Sequence, residues 1–251
     1  NQNFTTETNA YNTAVGYVAG NDITTGVANT FIGATAGDKL TAASSNTALG
    51  YNSLSTDVLG SQSTALGRDA LKSQNFTTST NSHNTAVGYI AGGAMTTGVQ
   101  NTFIGSAAGD ALTDADYNVA VGYGALTTDV LGSKSVAVGY HALFDQNFTT
   151  ATDSFNTAVG YGAGKDVTTG RYNVFVGSNA GDANTGGDYN VAIGPDAMSA
   201  EVEGNASTAV GVGALENQTS ATSTTVANVA VGYHAGNDIT SGTRNSIVGT
   251  F

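Results

Sequence analysis

A five-residue phrase returns at fixed spacing along the whole chain, and this period constrains the fold more than any other feature of the sequence. The phrase is Asn-Thr-Ala-Val-Gly at residues 12–16, and it occurs fourteen times with small variations. The interval between its closing glycines is constant, except that every fourth interval is longer by a four-residue insertion, so four copies form one super-repeat. These glycines are Gly16, Gly33, Gly50, Gly67, Gly88, Gly105, Gly122, Gly139, Gly160, Gly177, Gly194, Gly211, Gly232 and Gly249. Such a period indicates that like segments stack on one another.

Each column of the repeat accepts one kind of residue. The position before the glycine is always a branched aliphatic residue, and the position four before it is Asn in eleven copies and Ser in three. Between the aliphatic column and the Thr or Val column stands Ala in most copies, but the second copy of each super-repeat has Phe there, or Ile247 in the last. The residues that represent these structural columns are Asn12, Asn84, Val15, Val87, Gly16, Gly88, Phe31, Phe103 and Phe175.

The repeat predicts an all-β protein, a parallel β-solenoid or β-roll of fourteen coils. One copy is too short for a pair of helices and has no apolar stripe of helical period. It contains a short β-branched run, a glycine turn, a second and weaker strand at residues 23–27 of the first copy, and a polar turn. We expect one coil per copy and a single domain over residues 1–251, which would be a segment of a longer fibre.

Two columns are interpreted as the framework of the stack. Identical residues of successive coils align at the strand spacing of about 4.8 Å, so the Asn column should form a ladder of side-chain amides. The glycine column should mark a turn where a Cβ would clash or where φ must be positive.

The strand pattern also predicts a homo-oligomer, most simply a homotrimer. Each coil has only about two large aliphatic side chains, which is thin for an isolated solenoid that must offset its ordering entropy. The Ala/Phe column alternates with the aliphatic column, so both faces of the strand are apolar. We therefore expect Phe31, Phe103 and Phe175 to act as plugs between chains.

Composition excludes several classes of function. The chain has no Cys, 7 basic and 19 acidic residues, and a net charge of −12. It therefore has no disulfide or thiolate chemistry, and a nucleic-acid-binding surface is not expected. No long apolar run occurs, so no membrane span is predicted in this segment.

No catalytic constellation or cofactor site is predicted. The three histidines lack a repeated Asp or Ser partner, and no paired carboxylates suggest glycoside hydrolysis. Asp38, Asp110 and Asp182 recur in Ala-Gly-Asp once per super-repeat, and they are expected to cap turns. Isolated calcium sites at such carboxylates stay open as an alternative.

Two sets of aromatic residues are candidates for surface contacts. Phe76 and Phe148 lie in the four-residue insertion of the fourth copy, where a loop either binds a partner or packs on an adjacent chain. Tyr17, Tyr89 and Tyr161 follow the turn glycine, where their rings either stack on sugars or pack between coils.

The phrases Asn-Thr-Ala-Val-Gly-Tyr-Val-Ala-Gly at 12–20 and Asn-Val-Ala-Val-Gly-Tyr-Gly-Ala-Leu at 118–126 resemble the repeats of two families. One is the head repeat of trimeric autotransporter adhesins, which forms a left-handed parallel β-roll trimer. The other is the repeat of bacteriophage tail fibres and related appendage proteins. The resemblance covers essentially the whole chain and implies a trimeric, extracellular or virion-borne attachment fibre. The longer coils favour the appendage side, since adhesin coils are usually shorter.

The sequence therefore predicts a non-enzymatic structural and adhesive fibre segment that presents an attachment region to a host glycan or receptor. The alternative is a monomeric ice- or glycan-binding solenoid, which the richness in Thr suggests. Against an ice binder, Thr24 and Thr41 share a column that Val58 interrupts.

Overall fold

A computed structural model describes residues 9–250 of the chain. Over this range the protein is a parallel β-solenoid of about fourteen coils, one for each copy of the repeat, without a helix. The predicted fold class is confirmed. The chain divides into two compact units, Asn1–Asn118 and Val119–Phe251, and each is described by itself.

The first unit contains one long parallel sheet and one short strand pair. The strands are β1 (Thr13–Val15), β2 (Thr30–Ile32), β3 (Thr47–Leu49), β4 (Gly60–Ser61), β5 (Thr64–Leu66), β6 (Thr80–Asn81), β7 (Thr85–Val87) and β8 (Thr102–Ile104). The sheet order is β1-β2-β3-β5-β7-β8, with each strand one coil beyond the last, and β4 pairs with β6. Like positions of the repeat are paired, so the sequence period sets the register.

The second unit repeats this arrangement. The strands are β9 (Val119–Val121), β10 (Gly132–Ser133), β11 (Val136–Val138), β12 (Thr152–Asp153), β13 (Thr157–Val159), β14 (Val174–Val176), β15 (Val191–Ile193), β16 (Gly204–Asn205), β17 (Thr208–Val210), β18 (Thr224–Thr225), β19 (Val229–Val231) and β20 (Ser246–Val248). The sheet order is β9-β11-β13-β14-β15-β17-β19-β20, and the short pairs are β10-β12 and β16-β18.

The second strand expected at residues 23–27 is absent, which corrects that prediction. Single backbone hydrogen bonds link this side of the coil to the next coil, such as Thr24 N–H to the Thr41 carbonyl at 2.9 Å. Left-handed residues on either side of the segment, Gly20 and Ala28, both have a φ of 58°. Because these residues turn the chain twice within one coil, too little extended backbone is left for a second ladder.

The Asn column forms the predicted ladder, mainly through bonds to the backbone. The Asn29 N–H donates to Oδ1 of Asn12 at 2.8 Å, and Asn46 N–H donates to Asn29 in the same way at 2.9 Å. The Asn12 amide also donates to the Gly26 carbonyl at 2.7 Å, across its own coil. Asn84 makes the equivalent bonds to Asn101 and to the Gly98 carbonyl. One side chain therefore fixes both the stacking of two coils and the closure of one.

The glycine column has both properties predicted for it. Gly16 has a φ of 138° and Gly88 a φ of 141°, outside the range that suits other residues. A Cβ on Gly16 would lie 2.5 Å from the carbonyl oxygen of Gly33 in the next coil. The backbones of successive coils approach too closely at this turn for any side chain.

The central strand position points into the coil, so the prediction that Phe31, Phe103 and Phe175 plug contacts between chains is wrong. Their exposed fractions are 1%, 0% and 0%, within the chain's own core. Room for the Phe31 ring comes from Gly20 and Gly37, where an added Cβ would lie 2.6 Å from ring carbons. The coil interior is narrow, so the strand position that faces it is marked in the sequence by Ala, and a Phe fits there only beside glycines.

Gly20 and Gly37 belong to a second column, four residues after the closing glycine of each copy. In the third and fourth coils of the first super-repeat, where both buried strand positions are Ala, this column has Leu instead of Gly. Leu54 and Leu71 are fully buried beside the strand positions of Ala48 and Ala65. They have left-handed φ values of 50° and 47°, like the glycines in the same column. The first two coils of this super-repeat thus fill their interior with one Phe beside two glycines. The third and fourth coils fill theirs with two leucines.

This exchange predicts the outcome of a core swap in the first unit. Phe103→Ala should lower the free energy of unfolding by about 3–5 kcal/mol, because it leaves a cavity. Adding Gly92→Leu and Gly109→Leu should recover part of this loss, reduced by about 1 kcal/mol for each left-handed Leu. Urea unfolding of the wild type, Phe103→Ala and the triple variant measures the difference.

The matched control is Gly92→Leu with Gly109→Leu while Phe103 is kept. It should be less stable than the wild type, because Leu side chains would overlap the ring. A triple variant no more stable than Phe103→Ala would contradict the exchange.

Candidate functional site

In the first unit, the outer face of the sheet carries two regular columns. Residues on either side of the buried strand centre point outward. One column is aliphatic, and Val15 and Val87 belong to it. Val15 is 58% exposed and Val87 is half-buried, while Leu49 and Ile104 are each 41% exposed. The other column is Thr in all six strands of this sheet: Thr13, Thr30, Thr47, Thr64, Thr85 and Thr102.

In the second unit, most strands present two β-branched aliphatic residues outward. The pairs are Val119 with Val121, Val136 with Val138, Val174 with Val176, Val191 with Ile193, and Val229 with Val231. These side chains are half-buried or exposed. In β13 and β17 a Thr takes the first position. The result is a regular apolar surface of a kind that proteins bury against another apolar surface.

The tyrosines after the turn glycine are exposed, and several stack between coils. In the second unit, the Tyr140 and Tyr161 rings lie 5.1 Å apart and nearly parallel, and Tyr123 lies 5.5 Å from Tyr140. In the first unit, the Arg68 guanidinium carbon lies 5.6 Å from the Tyr89 ring. Tyr17 is 77% exposed. Packing between coils therefore covers part of this column, and free ring surface remains.

A second aromatic ladder was missed in the sequence. Phe155, Tyr172 and Tyr189 each precede the Asn of their coil, and their rings are stacked at 5.2 and 4.9 Å. The Lys134 ammonium caps this ladder 5.2 Å from the Phe155 ring. The signal was available, since the residue before the Asn or Ser is large in four successive coils of the second unit.

The four-residue insertion does not offer Phe76 and Phe148 as surface contacts, which corrects that prediction. Their exposed fractions are 5% and 6%, and both pack within their own chain. Phe76 lies against Gly60, where a Cβ would approach its ring to 2.8 Å. The aromatic ring of the insertion therefore closes the fourth coil instead of extending from it.

A buried polar network holds the insertion in place. In the second insertion, Gln146 Nε2 donates to Asp129 Oδ2 at 2.5 Å and to the Ser135 hydroxyl at 2.8 Å, while its oxygen accepts from Asn156 at 2.8 Å. The Phe148 N–H donates to Asp129 Oδ1 at 2.9 Å. Burial raises the pKa of Asp129, and these hydrogen bonds oppose the rise. Ser135 stands at the Asn position of its coil and has no side-chain amide, and Gln146 supplies one in its place.

The recurring Ala-Gly-Asp carboxylates are not equivalent in their surroundings. Burial raises the pKa of Asp182 to about 6, and the nearby Asp166 and Asp196 add to the rise. One of its oxygens is buried without a hydrogen-bond partner in the described part of the chain. Burial also raises the pKa of Asp38, but Lys39 lies 3.6 Å away and opposes it. The residue after Asp182 is Ala183.

Residues 9–250 contain no group of three His, Asp or Glu side chains placed to hold a metal ion. Over the same range, no helix has the length and apolar character needed to cross a membrane. Comparison with protein-family models and with curated proteins found no match to the chain. The solenoid is therefore seen in the structure, while the likeness to fibre and adhesin repeats depends on the repeat phrases alone.

The raised pKa of Asp182 predicts a pH-dependent gain in stability for Asp182→Asn. In the wild type, the protonated carboxyl suits the fold, so its stabilisation is complete below the usual pKa of 3.8 and is lost as pH rises through about 6. Near pH 7.5 the wild-type carboxylate is charged and partly desolvated, so Asp182→Asn should raise the free energy of unfolding. The expected gain is only about 1 kcal/mol, because solvent screens a half-buried group. Denaturant unfolding at pH 4 and pH 7.5 measures this; an equal gain at both values would contradict it.

Proposed function

We propose that this chain is a segment of an extracellular structural and adhesive fibre, assembled as a homotrimer on a virion or a cell-surface appendage. The observation that carries the proposal is the aliphatic outer column, which continues from strand to strand within each unit. Its side chains are half-buried or exposed although they are apolar and regularly spaced. A surface of this kind is stable in water when it packs against a like surface.

The fold also suits an extended spacer. Each coil bonds to its neighbours through the same backbone and Asn contacts, so added coils lengthen the structure without a new core. The net charge of −12 keeps such a surface soluble and opposes unspecific lateral contacts. In this proposal the chain has no catalytic role, and the attachment partner is a host-surface glycan or receptor.

Native mass tests the proposal. The wild type should have a mass three times the 25.0 kDa of one chain. Val138→Lys with Val176→Lys places charges on the outer sheet face, where they should shift the mass towards 25.0 kDa. Multi-angle light scattering measures both masses.

The matched control is Thr149→Lys with Thr150→Lys, on the exposed part of an insertion. It adds the same charge and should leave the mass unchanged. A wild-type mass near 25.0 kDa would overturn the homotrimer.

A second candidate function, ice binding by a monomer, is favoured by one observation. The Thr column on the outer face of the first unit is unbroken through six paired strands, unlike the column of Thr24, Thr41 and Val58. Paired strands place its hydroxyl and methyl groups about 4.8 Å apart beside the aliphatic column. A flat, regular array of this kind can order water.

Thermal hysteresis of the purified chain tests this second candidate. If it is correct, the wild type depresses the freezing point without a matching change in melting point. Thr47→Tyr should remove most of the effect, because one large ring interrupts the array. Thr78→Tyr, in the exposed insertion, should retain it. A wild type without hysteresis rules out the candidate.

A further inference from the structure

The second aromatic ladder, Phe155, Tyr172 and Tyr189, ends at a notch. The next two coils towards the C-terminus, which we call the upper direction, have Ala206 and Ala227 in the ladder column, and the third has Arg244. Backbone bonds fix this succession: Ala206 N–H donates to the Asp188 carbonyl at 3.0 Å, and Arg244 N–H to the Val226 carbonyl at 2.8 Å. At the strand spacing, three coils separate Tyr189 from Arg244 by about 14 Å.

The preceding super-repeat fills the same two positions. Lys134 and Phe155 correspond to Ala206 and Ala227, and there the Lys134 ammonium lies 5.2 Å from the Phe155 ring. All four residues have left-handed φ values between 52° and 64°. The backbone geometry is therefore the same, and the notch arises from side-chain truncation alone.

One face of the Tyr189 ring forms the lower wall of the notch. Its other face stacks on Tyr172 at 4.9 Å with an interplanar angle of 6°. No ring of the described residues covers the upper face, and Tyr189 is 58% exposed. The stack holds the ring rigidly, so a flat apolar platform is ready before any ligand binds.

Polar groups of both hydrogen-bonding kinds flank this platform. Asp188 Oδ1 accepts from the Arg171 N–H at 2.7 Å, while Oδ2 lies 3.9 Å from the Arg171 guanidinium and keeps acceptor capacity. The Asn205 amide, which donates to the Ser223 hydroxyl at 3.2 Å, lies in the next coil. The Arg244 side chain is exposed, and no ion pair among residues 9–250 includes its guanidinium. It supplies donors at the upper end.

We propose that the notch between Tyr189 and Arg244 binds a neutral pyranose unit of a surface glycan. A pyranose with equatorial hydroxyls has a flat face of axial C–H groups, which stacks on an aromatic ring. Its hydroxyls can donate to the Asp188 carboxylate and accept from the Arg244 guanidinium. The inference rests on the proposed adhesive role and names the partner's chemistry and the residues that contact it.

Saturation-transfer NMR with methyl β-D-glucopyranoside tests the site in the full chain. The wild type should bind this probe with a dissociation constant of about 1 mM, and saturation should be strongest on the axial hydrogens of one ring face. Tyr189→Ala should weaken binding about tenfold, because the stacking surface is lost.

The decisive variant fills the notch with the residues of the preceding super-repeat. Ala206→Lys with Ala227→Phe should abolish binding and keep the fold, because Lys134 and Phe155 occupy the same backbone positions. Tyr161→Ala removes an exposed ring from the other ladder and should bind the probe like the wild type. Denaturant unfolding of each variant verifies the fold.

Three results would overturn the site: no binding by the wild type, full binding by the filled variant, or equal loss in Tyr161→Ala. Native mass, measured on the same samples, separates this inference from the proposed fibre. A wild type that has the trimer mass but does not bind the probe rejects the sugar site alone. A mass near 25.0 kDa with binding retained rejects the trimer alone.

Discussion

The hydrogen bond between the backbone N–H of one Asn and the side-chain oxygen of the Asn one coil earlier is the contact on which the fold depends. Each such Asn also closes its own coil by donating to a carbonyl on the far side of that coil, as Asn12 does to Gly26. Most of these side chains are fully buried, where an unpaired amide would be costly. Every coil therefore needs a stacked neighbour to pair its buried amide, and one coil is not stable by itself.

The insertion shows how strict this requirement is. Where Ser63 replaces Asn, Gln74 reaches in from the longer coil and binds Ser63, Asp57 and Asn84. In the third super-repeat the acid is Glu201 instead of Asp, and Gln218 still joins it to Ser207 and Asn228. The longer coil thus meets the same hydrogen-bonding requirement with other residues. Its buried carboxylate accepts backbone N–H groups, as Asp57 does from Gly60 and Phe76.

The sequence was sufficient for the period, the coil count, the parallel register and the Asn and Gly columns, because each follows from identical residues in stacked positions. It was insufficient for the side of the strand that faces inward. Ala, Phe and Val are all apolar, so alternation alone does not show whether Phe31 or Val15 faces the interior. The space that Gly20 and Gly37 leave beside the strand decides it in favour of Phe31. The buried role of Gln74 and the left-handed φ of residues such as Leu54 and Phe155 also had no local signal, since stacking imposes both.

The placement of the Phe column inside the coil changes the basis for assembly. With Phe31, Phe103 and Phe175 satisfied within the chain, any association must use the aliphatic and Thr columns outside. The second unit offers mostly Val and Ile there, which favours burial against a like surface, whereas the Thr column of the first unit can order water. Oligomerisation and ice binding therefore compete for one face, because a side chain buried in an interface cannot contact ice. The aromatic ladders lie on separate turns of the coil, so a glycan site at Tyr189 is compatible with either use of the sheet.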